Sequence, residues 1–185
     1  MAGKNVQHAF AYDDLREWIA EADKLGEMRY LDGMSWEKDI GMGTEMLHHT
    51  DPAPCALFDK VPGCPDGFRV LTNFFGGKRR GMTIGFPSDM SKLELTDGLA
   101  EITETKKPIP HKIVETGPIM ENVITGDDID MYKYPTPKWH EEDGGRYIGT
   151  GSYNVTKDPD EDWINTGTYR VMIQDKKKVG FYISP

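Results

Sequence analysis

Two glycine-rich stretches decide the fold of this chain: Gly-Gly-Arg-Tyr-Ile-Gly-Thr-Gly at residues 144–151 and Ile-Asn-Thr-Gly-Thr-Tyr-Arg at residues 164–170. Both have the alternation of β-strands, and the acidic run at 158–162 between them is typical of a tight turn. The sequence predicts three consecutive strands, at residues 147–156, 164–175 and 179–184. Three strands with open edges cannot bury a core of their own, so we interpret them as the opening of a β-barrel or sandwich.

The part of the chain before this meander mixes helices and strands. A helix is predicted to begin at Tyr12 or Asp13, because apolar residues recur there at helical spacing. Gly26 follows it in the position that a left-handed C-terminal cap favours. Periodicity also predicts helices at residues 39–48 and 91–105, and strands at 27–31, 55–58 and 68–72. This mixture predicts a small α/β layer structure, and hence an α+β chain as a whole.

A domain boundary is predicted at Lys106–Pro110. The closely spaced Pro108 and Pro110 block both a helix and a central strand. We therefore expect an N-terminal α/β domain at residues 1–110 and a β-rich portion at residues 111–185.

The composition argues against several classes of function. The formal net charge is -9, whereas nucleic-acid binding needs clustered cations. The two basic clusters, at residues 78–80 and 176–178, are expected to be solvated turns. No apolar run approaches the roughly 20 residues of a membrane span, and residues 1–12 lack the apolar segment of a signal peptide. Cys55 and Cys64 lack metal-site spacing, so we interpret them as reduced thiols of a cytoplasmic protein, with a disulfide between them as the alternative.

Carboxylates concentrate around a histidine in residues 126–143. Asp127, Asp128 and Asp130 suggest a hard cation such as calcium, but the ligand register of an EF-hand is absent. A polar turn with helix-capping residues explains the same pattern without a ligand. His140 fits either a general base or a hydrogen-bonded surface residue, and both interpretations stay open.

Asn165 and Arg170 form a sharper pair. An amide oxygen is a neutral, hard ligand suited to Mg²⁺ or Mn²⁺, which it can share with a phosphate. The guanidinium of Arg170 lies in an otherwise apolar strand, where it needs a carboxylate or a phosphate as partner. Pairing with an acidic residue of the chain itself, for structure alone, is the alternative.

The spacing of this pair raises a geometric problem. Residues an odd number of positions apart point to opposite faces of a regular strand, as Asn165 and Arg170 would. A shared ligand therefore requires a bulge or a strand end between the two residues, and we predict it at Gly167. Regular pairing through Gly167 would argue against a common site.

The chain resembles the N-terminal part of the UbiD family of decarboxylases, which use prenylated FMN. The similarity covers nearly the whole chain, and several stretches match in order. These stretches are residues 68–73, 117–128, 135–141, 144–151 and 165–170.

The resemblance implies a fold and a set of residue roles. The N-terminal α/β domain would be followed by the first strands of a split β-barrel like that of flavin reductases. Asn165 would bind a divalent metal, Mn²⁺ or Mg²⁺ (with K⁺ a further candidate), that bridges to the flavin phosphate. Arg170 would be catalytic, holding the substrate carboxylate near the flavin ring. The cofactor-binding residues would be Asn165, Thr166, Gly167, Thr168, Tyr169 and Arg170.

The activity implied is the non-oxidative, reversible decarboxylation of an aromatic or heteroaromatic acid. Loss of CO₂ from an sp² carbon leaves electrons that a cofactor must accept. A flavin prenyltransferase would supply that cofactor. The remaining metal ligands, acidic residues and C-terminal dimerisation domain are expected beyond Pro185. The chain is therefore expected to be inactive alone, and to be a fragment or to be completed in an oligomer or by a longer partner.

Two other functions fit the same residues. A non-catalytic small subunit or truncated homologue would dock on a longer partner chain. A plain FMN-binding split-barrel protein would transfer electrons instead of cleaving a carbon–carbon bond.

Overall fold

The computed structural model describes residues 8–110 and 112–183. The helices within these ranges are α1 (Leu15–Lys24), α2 (Asp39–His48), α3 (Arg79–Thr83) and α4 (Lys92–Thr105). The strands are β1 (Met28–Asp32), β2 (Cys55–Asp59), β3 (Val70–Thr72), β4 (Tyr147–Lys157), β5 (Ile164–Ile173) and β6 (Val179–Phe181). Single 3-10 turns lie at Pro118–Met120, Gly126–Asp128 and Met131–Lys133. Two three-stranded sheets, β1-β2-β3 and β4-β5-β6, confirm the α+β class.

Two compact units divide the chain. The first consists of the described parts of Met1–Arg29, Thr50–Cys55 and Asn73–Ile124. The second consists of the described parts of Tyr30–His49, Ala56–Thr72 and Thr125–Pro185. None of the helices in the described residues has the length and apolarity that crossing a membrane would require.

Helix α1 in the first unit begins later than the sequence predicts. Asp14 takes the N-cap position, and its carboxylate accepts hydrogen bonds from the backbone N–H groups of Arg16 and Glu17. These bonds, led by that of Glu17, hold the pKa of the Asp14 carboxyl below its ordinary value. The helix buries Trp18, and Gly26 has the predicted left-handed conformation at φ 73°.

The basic cluster at residues 78–80 is not the solvated turn that we predicted. Arg79 is fully buried in the short helix α3, and its guanidinium forms an ion pair with Glu27. It also donates to the backbone carbonyls of Ala53, at 2.9 Å, and Asn73, at 3.0 Å. A buried guanidinium is tolerated when a carboxylate and further acceptors satisfy it. The cluster at residues 176–178 is exposed in a turn, as predicted.

The core of the second unit lies between helix α2 and the sheet. Ile40 from α2 packs with Phe58 and Ala56 of β2, and Trp139 covers their edge. Strand β3 pairs with β2 from Val70 onward, so it begins two residues later than predicted. Helix α2 has the predicted bounds. In the described part of the chain, neither Cys55 nor Cys64 is in a disulfide bond.

The second sheet is the predicted meander. Strand β4 pairs antiparallel with β5, and β5 pairs antiparallel with β6. Strand β5 ends at Ile173, and the backbone N–H of the next residue, Gln174, donates to the carbonyl of Lys178 across the turn, at 2.9 Å. The last predicted strand ends at Phe181, and its predicted terminus, Ser184, lies outside the described residues.

Candidate functional site at the open edge of β5

The register of β4 and β5 places the bulge in β4 and not at Gly167. The pairing is regular from Ser152 opposite Tyr169 to Lys157 opposite Ile164, which includes Gly167. The register shifts at two places in β4 instead, between Tyr147 and Gly149 and between Gly149 and Ser152. Our prediction of a bulge at Gly167 is therefore wrong. The glycine has another role, because a Cβ atom there would lie 2.6 Å from the ring of Tyr169.

Regular pairing places Asn165 and Arg170 on opposite faces of β5. The half-buried face carries Asn165, Gly167 and Tyr169, whereas the exposed face carries Thr168 and Arg170. The two side chains therefore do not lie on one face. The prediction that a bulge in β5 brings both to the same face is wrong.

An open strand edge brings side chains of both faces to one place. Strand β6 pairs with β5 only along Val171–Ile173. Among the described residues, positions 164–170 of β5 therefore have a neighbouring strand on one side only, which is β4. A cavity of about 660 Å³ lies beside this edge. Tyr169 lines it from one face and Thr168 and Arg170 from the other. Further side chains at the cavity are those of Tyr147, Met172, Gln174, Phe181 and Tyr182.

Arg170 is exposed at this cavity. Within residues 8–110 and 112–183 its guanidinium makes no hydrogen bond or ion pair. The alternative in which Arg170 pairs with an acidic residue for structure is therefore not found in this part of the chain. A guanidinium with five unused donors beside aromatic rings is suited to a planar carboxylate or a phosphate.

Arg146, which the sequence patterns did not single out, has a guanidinium that the fold does engage. It donates to the backbone carbonyls of Thr136, at 2.8 Å, and Tyr134, at 2.6 Å. It also lies 4.1 Å from the centre of the Trp36 ring. Burial lowers the pKa of Arg146 from its ordinary value. Arg146 therefore fixes the segment before β4.

Asn165 lies in a polar patch on the half-buried face. Its side-chain nitrogen donates to the hydroxyl of Tyr169, at 3.2 Å, and more weakly to the hydroxyl of Thr156, at 3.5 Å. On the same face Asn154 donates to Ser152. Among the described residues nothing donates to Oδ1 of Asn165, so this oxygen is available as an acceptor or a cation ligand.

The acidic region around His140 has structural roles. Asp130 caps the 3-10 turn by accepting from the N–H of Tyr132, and Asp143 accepts from the N–H of His140. His140 is exposed. Over residues 8–110 and 112–183, His, Cys, Asp and Glu side chains do not gather in threes as a metal site would need. The capping interpretation therefore accounts for Asp130 and Asp143, whereas Asp127 forms an ion pair with Lys177.

Sequence reasoning missed the aromatic lining of the cavity. Tyr147 enters it from β4, while Phe181 and Tyr182 enter from β6 and its end. The register of the meander would have placed Phe181 opposite Val171, next to Tyr169. The alignment of the β5–β6 hairpin could therefore have predicted this lining, whereas no sequence motif indicates it.

Three comparisons with known proteins agree on one relationship. Residues 112–185 match the family model described as UbiD: 3-octaprenyl-4-hydroxybenzoate carboxy-lyase Rift-related domain. Ferulic acid decarboxylase 1 of Candida dubliniensis is 33% identical over 178 residues, which cover 93% of this chain and 34% of that protein. The closed form of vanillic acid decarboxylase from Sedimentibacter hydroxybenzoicus matches with a TM-score of 0.81 and 29% identity, over 94% of this chain and 37% of that one.

A flavin-bound structure is also similar. The UbiD-class enzyme HmfF from Pelotomaculum thermopropionicum, in complex with FMN, matches with a TM-score of 0.73 and 25% identity. The match covers 92% of this chain and 37% of that chain.

The mixed α+β fold with its two small sheets therefore matches the fold of UbiD-class decarboxylases. The chain belongs to the UbiD family, as the resemblance in its sequence predicted. It spans about a third of the length of the curated relatives that it matches.

Proposed function

We propose that this chain is the N-terminal part of a decarboxylase that removes CO₂, reversibly and without oxidation, from an aromatic or heteroaromatic carboxylic acid. The observation that carries the proposal is an unpaired, exposed Arg170 in a cavity lined by Tyr147, Tyr169 and Phe181. A carboxylate matches the guanidinium fork, and aromatic rings match the surrounding side chains. Relatives named as decarboxylases of ferulic and pyrrole-2-carboxylic acids support the same substrate class.

Prenylated FMN is the cofactor in this proposal. When bound, it would accept the electrons that remain after the carboxylate leaves as CO₂. An elongated flavin suits an open edge, because Asn165 and Arg170 lie roughly 17 Å apart along a strand that rises about 3.3 Å per residue. Arg170 and Thr168 would serve the ring end, and Asn165 and Thr166 the phosphate end. The similarity to an FMN complex supports a flavin at this fold.

A divalent cation, Mn²⁺ or Mg²⁺, is proposed at the phosphate end, with K⁺ as a further candidate. Ions of this kind keep several waters and use phosphate oxygens together with few protein ligands. The oxygen of Asn165 fits one position of such a site. The described residues do not supply a His, Cys, Asp or Glu cluster for the other positions. We therefore assign Asn165 as a single ligand and derive no catalytic step from the metal.

The proposed role of Arg170 is to bind and orient the substrate carboxylate. Its fork geometry would align that group relative to the cofactor, which lowers the entropic part of the barrier. The described residues that line the cavity include no carboxylate. The acid that returns a proton to the substrate carbon is therefore expected elsewhere in the complete protein.

The finer architecture is part of the same proposal. Strands β4, β5 and β6 would open a split barrel of the flavin reductase kind, in a portion at residues 111–185 that follows a domain at residues 1–110. Exposed apolar side chains on this sheet, including Tyr153 and Val155, support its being covered in the complete protein. We propose a cytoplasmic enzyme that functions as a homo-oligomer or with a longer partner chain, and that receives its cofactor from a flavin prenyltransferase.

Benzoate and neutral benzamide test the role of Arg170. Arg170→Ala is expected to weaken benzoate binding by about tenfold or more and to leave benzamide almost unchanged, because only the carboxylate uses the guanidinium. Lys157→Ala removes an exposed cation of the same sheet and should change neither. Isothermal titration of the three proteins measures this. Equal losses for both ligands, or none, would contradict the assignment.

The absorbance spectrum separates the competing functions. The chain is co-expressed with a flavin prenyltransferase, and its intact mass is measured alongside. A modified-flavin spectrum supports the decarboxylase. Plain FMN with reductase activity favours electron transfer, and a colourless protein favours a non-catalytic docking module.

A further inference from the structure

On the half-buried face of β5, the side chain of Tyr169 reaches across Gly167 to contact Asn165. Alternate residues of a strand share a face, so Asn165 and Tyr169 lie about 13 Å apart at their Cα atoms with Gly167 midway. The phenol hydroxyl of Tyr169 nevertheless lies 3.2 Å from Nδ2 of Asn165. The tyrosine ring therefore extends along the strand, over Gly167.

Gly167 makes this conformation possible. A Cβ atom at position 167 would lie 2.6 Å from the hydroxyl oxygen and from ring atom Cζ of Tyr169. Any side chain there would displace the ring and move the hydroxyl away from Asn165. Phe181 flanks the ring on the far side, with ring centres 6.0 Å apart. The position of the Tyr169 ring is thus set by the space above Gly167 and by the neighbouring ring of Phe181.

We propose that Tyr169 is a positioning residue that orients the amide of Asn165 toward the cofactor, an inference that rests on the proposed function. An amide nitrogen has two hydrogens, and the hydroxyls of Tyr169 and Thr156 accept one each. The amide cannot turn over without losing both bonds. Its oxygen accepts from no described group and is therefore available to the proposed cation and phosphate.

The hydroxyls could in principle donate to the amide oxygen instead of accepting from the nitrogen. That arrangement would occupy the oxygen and turn the nitrogen toward the cation. The two arrangements predict opposite effects of removing the tyrosine hydroxyl, which makes the orientation measurable. Loss of the hydroxyl weakens cation-dependent binding in the first case and strengthens it in the second.

The test measures binding of FMN to the chain with and without Mn²⁺, by flavin fluorescence. Tyr169→Phe is expected to lower the Mn²⁺-dependent part of the affinity by about threefold to tenfold, which is the range of one neutral hydrogen bond. Binding without Mn²⁺ is the reference from which this part is obtained, and the unfolding midpoint should stay nearly unchanged, because the ring is retained. Tyr153→Phe, on the opposite exposed face, is the matched control and should alter neither quantity.

A double variant separates positioning from direct contact. If Tyr169 acts through Asn165, then Asn165→Ala combined with Tyr169→Phe should bind no more weakly than Asn165→Ala alone. Additive losses, unchanged binding in Tyr169→Phe, or stronger binding would overturn the positioning role. If Asn165→Ala has no effect, or if the chain shows no Mn²⁺-dependent binding of FMN, the cation assignment of the proposed function fails first and the role of Tyr169 fails with it.

Discussion

The burial of two arginines in this chain is the reverse of what their neighbours in sequence suggest. Arg170, in an apolar strand, is exposed and free among the described residues, whereas Arg79, in a charged run, is fully buried against Glu27. A buried charge is stable only while its partner remains. The structural guanidinium and the proposed functional guanidinium are thus distinguished by their partners, and not by their neighbours in sequence.

Removal of the Glu27 charge tests this distinction. Glu27→Gln leaves the Arg79 guanidinium buried without a counter-charge, and we expect a loss of about 3–5 kcal/mol in the free energy of unfolding. Urea denaturation followed by tryptophan fluorescence measures it. Asp32→Asn breaks the exposed ion pair with Lys60 and should leave the midpoint nearly unchanged. Similar effects of the two substitutions would contradict the prediction that the buried Glu27–Arg79 pair contributes more to stability than the exposed Asp32–Lys60 pair.

Two glycines of the second sheet are expected to differ in their tolerance of alanine. Gly167→Ala places a methyl group against the Tyr169 ring, which should cost about 1–3 kcal/mol as overpacking. Gly151→Ala meets its nearest atom, on Thr168, only at 4.0 Å and should be tolerated. Thermal unfolding of both variants gives the comparison. In a Tyr169→Ala background the cost at position 167 should largely disappear, and its persistence would point to a backbone effect instead.

Helix α2 contains two glycines, Gly41 and Gly43, that should also differ in their tolerance of alanine. A Cβ atom on Gly41 would collide with the backbone carbonyl of Trp139, which cannot move aside as a flexible side chain would. A Cβ atom on Gly43 would lie 3.5 Å from the Phe58 ring, an ordinary contact. Because alanine favours a helix by about 1 kcal/mol over glycine, Gly43→Ala should be neutral or stabilising. Gly41→Ala should lower the urea midpoint, and a gain for both variants would show that α2 is not packed this closely.

The turn between β4 and β5 should make the hairpin sensitive to acid. Hydrogen bonds from the backbone N–H groups of Glu161 and Asp160 hold the pKa of the Asp158 carboxyl below its ordinary value. The stability that this carboxylate contributes is therefore present above the unfolded pKa, about 3.9, and is lost as the pH falls through the lower folded pKa. Asp158→Asn keeps an acceptor oxygen but cannot titrate. Its thermal midpoint should fall less steeply than that of the wild type below pH ~4, whereas Asp162→Asn should behave like the wild type.

Local patterns were sufficient for elements that local forces determine. Helix α2 and the beginnings of β4 and β5 have their predicted positions, because apolar periodicity and turn residues are properties of the segment itself. The burial of Arg79 depends on Glu27, Ala53 and Asn73, which are distant in sequence. The position of the bulge depends on how two strands align, and either strand offered glycines for it. The aromatic lining of the cavity likewise depends on β6, so no motif within β5 could specify it.

At the scale of the whole molecule, exposed apolar side chains occur along much of the described chain, and the three with the highest exposed fractions lie in one connecting segment. Ile109, Ile113 and Ile119 are 93%, 86% and 87% exposed, although isoleucine is among the residues most often buried in proteins. Apolar side chains grouped in this way mark surfaces that another polypeptide covers. The chain spans about a third of its curated relatives, so further polypeptide of the complete protein is the covering that we propose.

This exposure predicts binding of the dye ANS by the chain at neutral pH. The triple substitution of Ile109, Ile113 and Ile119 by serine should reduce the dye fluorescence severalfold and leave the urea midpoint unchanged, because these side chains are solvated in the folded state. Serine at Lys106, Lys107 and Glu115 changes the same exposed segment without altering its apolar surface, and should leave the fluorescence as it was. If the isoleucine variant bound the dye as strongly as the wild type, the segment would not be the exposed apolar surface. If it also unfolded at lower urea, the isoleucines would be packed in solution, and the covering polypeptide would have to be sought at the open sheet instead.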